Sequence, residues 1–272
     1  IFLLFLLIRQ RMPIQIQLHA DIFEKEWQSL SLINRLKFFV AKHTFKKATN
    51  IRTVSYVMMN ELNRLNLKKS TKIFVTPVPL NLDSNEMIGY LSNRPMSIGI
   101  LSRLHFERNL KEALVIIKKI NEINSDFKVV VAGTGELEDW FKSSLTSILG
   151  NARVNFLGEI KAEEMEAFWS QVGILLSTAK SETYGRALRE SLCHGIPVVC
   201  FNTKASTDLK NLDLNLPLII LDSEMISLQT AANILDITKR ETTNSYLAHY
   251  SEEKHRNQMI LMESWSNLFE NR

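Results

Sequence analysis

From Ser97 onward the chain alternates short, mostly apolar runs with segments of helical periodicity, and few folds accept that pattern. The runs are Ser97–Leu101, Phe127–Ala132, Val154–Leu157, Val172–Leu176, the stretch opening at Val198, and Leu216–Leu221. Leu110–Ile123, Glu136–Leu149, Ala162–Ser170 and the segment after Tyr184 read as helices between them. A strand that is apolar on both sides is buried on both faces, which predicts a parallel sheet with helices above and below. The expected class is therefore α/β and doubly wound. Apolar residues make up 45% of 272, enough for a substantial core. In such a sheet, ligands bind beyond the C-terminal strand ends.

The first third is read less directly. Ile14–Leu18 is β-prone and ends at His19-Ala20-Asp21. A helical pattern runs from Glu24 to about Asn50, with Leu30, Leu32, Ile33, Leu36, Phe39 and Val40 as an apolar stripe. Arg35, Lys37, Lys42, Lys46 and Lys47 give it a basic side, which reads either as a solvated face on its own domain or as a contact with anionic membrane. Strands at Ile51–Ser55 and Ile73–Val75 flank a helix at Val57–Leu65, and Pro77–Asp83 reads as a linker. The expected organisation is residues 1–92, residues 93–250, and a C-terminal helix over 251–272 packing back on the first domain.

All nine glycines lie at Gly89 or later. A complete nucleotide-binding α/β domain carries glycines at its first strand-to-helix turns, so the N-terminal domain is expected to be incomplete. Ile1–Ile8 is too short to span a bilayer and reads as the cut end of a buried helix. Cys193 and Cys200 fit no zinc or redox spacing and are expected as buried thiols. The net charge of +4, with pI about 9.0, fits an anionic ligand without demanding nucleic acid.

Four segments fall at strand ends: Arg103–Arg108, Gly133–Glu136, Gly158–Lys161 and Ser177–Arg186. Arg103 and Arg108 are spaced to converge on a diphosphate, although two solvated arginines are the plainer reading. Gly133-Thr134-Gly135 opens a helix, but Glu138 occupies the third position of a dinucleotide fingerprint and disfavours NAD. Gly185 lets the next helix N-terminus approach an anion. Glu190 suits a ribose cis-diol, with an i,i+4 pair to Arg186 as the equal alternative. Glu182 and Glu190, eight helical steps apart, would stand about 12 Å apart, too far for a glycosidase pair.

These residues carry a resemblance. Glu182, seven residues, then Glu190, followed by His194-Gly195-Ile196-Pro197-Val198-Val199, resembles the EX7E signature of family 4 retaining glycosyltransferases of GT-B fold. Ser102–Asn109 resembles that family's GRLxxxKG segment, with Asn109 in place of glycine and Arg108 in place of lysine. Gly133-Thr134-Gly135, Phe156-Leu157-Gly158 and Ile16–Asp21 follow the family's order. The resemblance implies two Rossmann-like domains, the second binding a UDP- or GDP-linked sugar and the first an acceptor glycan or lipid-linked glycan. It implies transfer with retention, without metal or cofactor, in polysaccharide or glycan assembly on the cytoplasmic side. By it, Arg103 and Arg108 hold the diphosphate and Glu190 the ribose, while Glu182 faces the donor sugar. Gly133, Gly135, Gly185 and Arg186 line the donor, Ile160 packs near the base, and His19 stands near the reacting sugar. The absent acceptor-side glycine loop predicts weak donor binding or slow turnover, and keeps a non-catalytic binding module as the alternative.

Overall fold

The computed structural model describes residues 13–80, 82, 94–222, 226–237 and 245–270. The expected helix at Ile1–Ile8 and the expected boundary at 92/93 lie outside them. The chain divides into two compact units: Ile1–Pro79 with Glu252–Arg272, and Leu80–Ser251.

The first unit holds a parallel sheet in the order β1 (Gln15–Leu18), β2 (Asn50–Thr53), β3 (Lys72–Val75). Period-two alternation separates its faces. Ile16, Ile51 and Ile73 stand in one row of the register, and Leu18, Thr53 and Val75 in the next. Helices α1 (Lys25–Ser29), α2 (Leu32–Phe45) and α3 (Tyr56–Asn63) follow the helical periodicity. Leu18, Phe45, Ala48, Ile51, Met58 and Leu62 form the core. The single helix expected from Glu24 to Asn50 is broken at Leu30-Ser31, because the Ser31 side chain caps α2 by accepting from the Asn34 N–H. It also ends early: Asn50 opens β2. On the other face, the Asn50 amide donates to the Ser264 carbonyl at 2.7 Å, Lys72 donates to Asn267, and Arg52 lies 5.4 Å from the Trp265 ring.

The second unit is a six-stranded parallel sheet in the order β6-β5-β4-β7-β8-β9. The strands are β4 (Ser97–Leu101), β5 (Lys128–Ala132), β6 (Val154–Gly158), β7 (Ile174–Ser177), β8 (Val198–Phe201) and β9 (Leu218–Leu221). Counted within the unit, this is the 3-2-1-4-5-6 order of a Rossmann fold, which reverses direction between β4 and β7. The helices are α4 (Leu110–Ile123), α5 (Glu138–Leu149), α6 (Met165–Trp169), α7 (Arg186–Cys193), α8 (Lys204–Lys210) and α9 (Leu228–Ile237). Ile98, Ile100, Val129, Val131, Ile174, Leu176, Val199 and Phe201 share one core with Ile116, Ile117 and Ile120 of α4. The helix expected over Ala162–Ser170 is a 3-10 turn, Ala162–Glu164, followed by the short α6. A last helix, α10 (Ser245–Glu270), begins in this unit and continues into the first.

Candidate functional site

The candidate site residues of the second unit gather at the C-terminal ends of β4 to β7, around the point where the strand order reverses. Backbone bonds join the loops there. The Leu104 N–H donates to the Thr134 carbonyl at 2.8 Å, and the Gly133 N–H to the Gly158 carbonyl at 2.6 Å. The Thr178 hydroxyl, at the end of β7, donates to the Arg108 carbonyl at 2.9 Å. The Ala205 N–H donates to the Glu182 carbonyl at 2.9 Å.

Gly133 is required by this packing. Its φ is +127°, and a Cβ there would stand 1.9 Å from the Ser102 carbonyl oxygen. A Cβ on Gly135 would stand 2.3 Å from the Leu104 carbonyl oxygen. Both glycines thus let the β5 loop lie directly on the segment carrying Arg103. Asn109 also has a positive φ, +51°, before α4. Asparagine tolerates that left-handed conformation better than other residues with a side chain, so the replacement of glycine there keeps the turn.

The arginines and glutamates occur as pairs. Arg108 Nη1 donates to Glu182 Oε2 at 2.6 Å, with both side chains about a quarter exposed. Arg186 Nε donates to Glu190 Oε1 at 2.6 Å. Arg186 is half-exposed, but Glu190 is buried. Burial raises the Glu190 pKa above the ordinary carboxylate value. The hydrogen bond and charge of Arg186, and the charge of His194, offset this only in part. Arg103 is exposed, with Glu107 Oε2 at 3.8 Å. Arg103, Arg108 and Arg186 therefore supply cations at the strand ends, while Glu190 is a sheltered acceptor.

Helix α7 carries two of these groups and is held at both ends. Gly185 caps it with φ +70°, and a Cβ there would lie 2.9 Å from both Ala205 and Leu188 side-chain carbons. The first-turn N–H groups that follow have no intrahelical acceptor, as at any helix start. At the other end, the Ile196 N–H reaches the Ser191 carbonyl and the Gly195 N–H the Leu192 carbonyl, a Schellman closure. The helix is also fixed from the side. Buried Arg189 donates to Asp208 Oδ2 at 2.6 Å, to the Tyr246 hydroxyl at 2.7 Å and to the Tyr184 carbonyl at 2.9 Å. Burial alone would lower the Arg189 pKa, but Tyr246, Tyr184 and Asp208 hold it above the usual guanidinium value. His194 stacks on Trp169 at 5.3 Å, with Nε2 2.9 Å from Glu166.

The remaining candidates make no contact described above. Ile160 is half-buried in the loop after β6. His19 belongs to the first unit, exposed after β1, with Nε2 3.4 Å from the Gln17 side-chain oxygen. Cys193 and Cys200 are free and buried; burial pushes the Cys193 thiol up and the Cys200 thiol up to about 12. Sequence reasoning missed Thr178, Arg189, Asp208 and Tyr246, whose partners lie 19 to 70 positions away. A groove of about 510 Å³ lined by Ser97, Lys128 and Val154 opens at the opposite, N-terminal strand ends.

Residues 91–210 match the model of the family described as Glycosyl transferases group 1. Among curated proteins, alpha-monoglucosyldiacylglycerol synthase of Streptococcus pneumoniae is 30% identical over 99 residues, which is 36% of this chain and 22% of that protein. Among solved structures, a variant of S. aureus TarM bound to fondaparinux, alpha-GlcNAc-glycerol and UDP superposes with a TM-score of 0.70 at 16% identity, covering 94% of this chain and 50% of that one. Anabaena HepE in complex with UDP and glucose gives 0.70 at 18% identity, covering 96% and 73%. The pneumococcal O-GlcNAc transferase GtfA in complex with UDP and GlcNAc gives 0.61 at 15% identity, covering 94% and 54%. The chain thus spans about half the length of TarM, and its match spans under a quarter of the curated relative. At these structural identities the likeness is one of fold. The family match lies within the Rossmann-like second unit and covers less than half of the chain, and the solved structures share the fold of the chain.

Proposed function

We propose that this chain transfers a sugar from a nucleoside diphosphate sugar to an acceptor hydroxyl, with retention at the anomeric carbon and without a metal. The acceptor oxygen bonds to the anomeric carbon as the bond to the diphosphate breaks, the nucleoside diphosphate leaves with the electron pair, and the acceptor's hydroxyl proton passes to a phosphate oxygen of that leaving group. The observation that carries this reading is the set of groups at the β4/β7 reversal: a buried carboxylate, Glu190, paired with Arg186 on α7, and the cations Arg103 and Arg108 after β4. Arg103 and Arg108 balance the leaving diphosphate, and the N–H groups following Gly185 add donors. Glu190 accepts from the ribose hydroxyls, Glu182 faces the donor sugar, and Ile160 packs near the base. Gly133 and Gly135 act by shaping the loop under Arg103, and His19 is assigned with Glu182 to the reacting sugar. The UDP bound in the TarM, HepE and GtfA complexes supports a nucleotide ligand, and makes UDP-linked sugars the first donors to try. The setting we infer is polysaccharide or glycan assembly on the cytoplasmic side; among the described residues no helix is long and apolar enough to cross a membrane.

One observation favours a second reading, a binding module without turnover. Arg108 and Glu182, both assigned to the donor, hold each other at 2.6 Å, and a ligand must compete with that pair. Thermal shifts across a panel of UDP- and GDP-linked sugars, followed by transfer assays with the best binder, separate the readings. Catalysis predicts both a shift and transfer, whereas the binding module predicts a shift alone. Glu190→Ala is expected to remove the shift; a shift of unchanged size would refute the ribose assignment.

A further inference from the structure

The first sheet carries, on the side toward α10, a buried charge with nothing to balance it. Side chains of β2 alternate, so Asn50 and Arg52 face one way and Ile51 and Thr53 the other. Asn50 and Arg52 meet Ser264 and Trp265 of α10. Arg52 is 8% exposed, and its guanidinium carbon lies 5.4 Å from the Trp265 ring. Its Nε and Nη1 are buried without a hydrogen-bond partner. Burial lowers the Arg52 pKa, and no charged neighbour offsets that. Arg189, the buried arginine of the second unit, shows the ordinary arrangement: a carboxylate, a hydroxyl and a carbonyl accept from it. A charged group taken out of water without a counter-charge is strongly disfavoured, and a cation–π contact recovers only part of that cost.

The position favours a ligand as the missing counter-charge. Arg52 is the third of the four residues of β2, near the C-terminal strand ends where sheets of this kind bind ligands. Gln17 is its register neighbour on β1, and the Gln17 side-chain oxygen lies 3.4 Å from His19 Nε2. Gln17 and His19 are both exposed, and Trp265 is 45% exposed. We propose that Arg52, with the Gln17 amide beside it, anchors an oxyanion site in the first unit, and that this site takes a phosphate or carboxylate group of the acceptor. The planar guanidinium offers paired N–H donors that match either group, and the Gln17 amide adds another. That the ligand is the acceptor rests on the transferase reading, through the neighbouring His19. The anion site itself does not rest on it.

The test is titration of the whole chain with inorganic phosphate, glycerol phosphate and glucuronate, against sodium chloride of the same ionic strength. The readout is the part of the tryptophan fluorescence that Trp265→Phe removes. A saturable change is expected with at least one of the three anions, and the responding anion tells a phosphate group from a carboxylate. Arg52→Met should abolish the change, and Arg52→Lys should weaken it by roughly tenfold or more, because an ammonium lacks the planar fork. Without anion, Arg52→Met should melt no lower than the unmodified chain, since an apolar side chain replaces an unbalanced charge. Three outcomes would overturn the proposal: no saturable change with any of the three, a change that chloride reproduces, or a change that Arg52→Met leaves intact. A large drop in melting temperature for Arg52→Met, with Arg52→Lys titrating as the unmodified chain does, would assign Arg52 to packing on Trp265 instead. The titration uses no nucleotide, and Arg103→Ala should leave it unchanged, so failure of the donor reading and failure of this one are separate results.

Discussion

Glu190 combines deep burial with a half-exposed ion-pair partner, Arg186, and its pH behaviour follows from that. Its raised pKa means that the folded chain holds this proton more tightly than the unfolded chain does. The resulting stability is present below the unfolded value and is lost as pH rises through the folded value. Donor binding should run the opposite way, because ribose hydroxyls donate to the ionised carboxylate. Calorimetric titration with UDP at falling pH should show affinity declining before the ordinary glutamate range is reached, and Glu190→Gln should flatten the decline. Gly133 gives a steric prediction. With a Cβ position 1.9 Å from the Ser102 carbonyl oxygen, Gly133→Ala should cost more than about 3 kcal/mol in urea unfolding. Asn109→Gly, by contrast, should leave stability within about 1 kcal/mol, since both residues tolerate the left-handed turn. A large loss there would mean that the Asn109 side chain does something other than permit the turn.

Helix α7 is positioned by a buried ionic network as well as by its caps. Asp208→Ala would leave the Arg189 guanidinium buried without its carboxylate, at a cost of about 3–5 kcal/mol by chemical denaturation. A double change, Arg189→Met with Asp208→Leu, should recover most of it; failure to recover would point to lost packing instead of a stranded charge. None of this network was legible beforehand, because it joins α7, α8 and α10 across positions that no spacing rule connects. What could be read was local. The apolar runs marked β4 to β9, Gly195 marked the end of α7, and the i,i+4 step from Arg186 to Glu190 was one of two readings of that pair. The Arg108–Glu182 contact spans 74 positions, so the sequence offers Arg108 as a phosphate ligand or a solvated surface group and Glu182 as a sugar ligand, with nothing that pairs the two. Helix α8 went unread because its seven residues are mostly polar and its start depends on the Thr203–Ser206 capping box. The stripe on α2 was visible as a pattern, yet periodicity could not say that Leu32, Leu36 and Phe39 stand exposed while Phe45 enters the core.

Each unit has its own sheet and core, but the first unit draws its last element from the far end of the chain. The α10 residues Ser264, Trp265 and Asn267 meet Asn50, Arg52 and Lys72 of the sheet. A chain stopped after Ser251 should therefore lose protection from hydrogen exchange in β1 to β3 while β4 to β8 keep theirs. Uniform loss across both sheets would show that the units do not fold separately. In that shortened chain a nucleotide-induced thermal shift should persist, since the proposed nucleotide contacts lie within the second unit. The same arrangement orders events during synthesis. Asn50 cannot be covered until Ser264 has been made, so the second unit, which lies between them in the chain, can close while the first still waits.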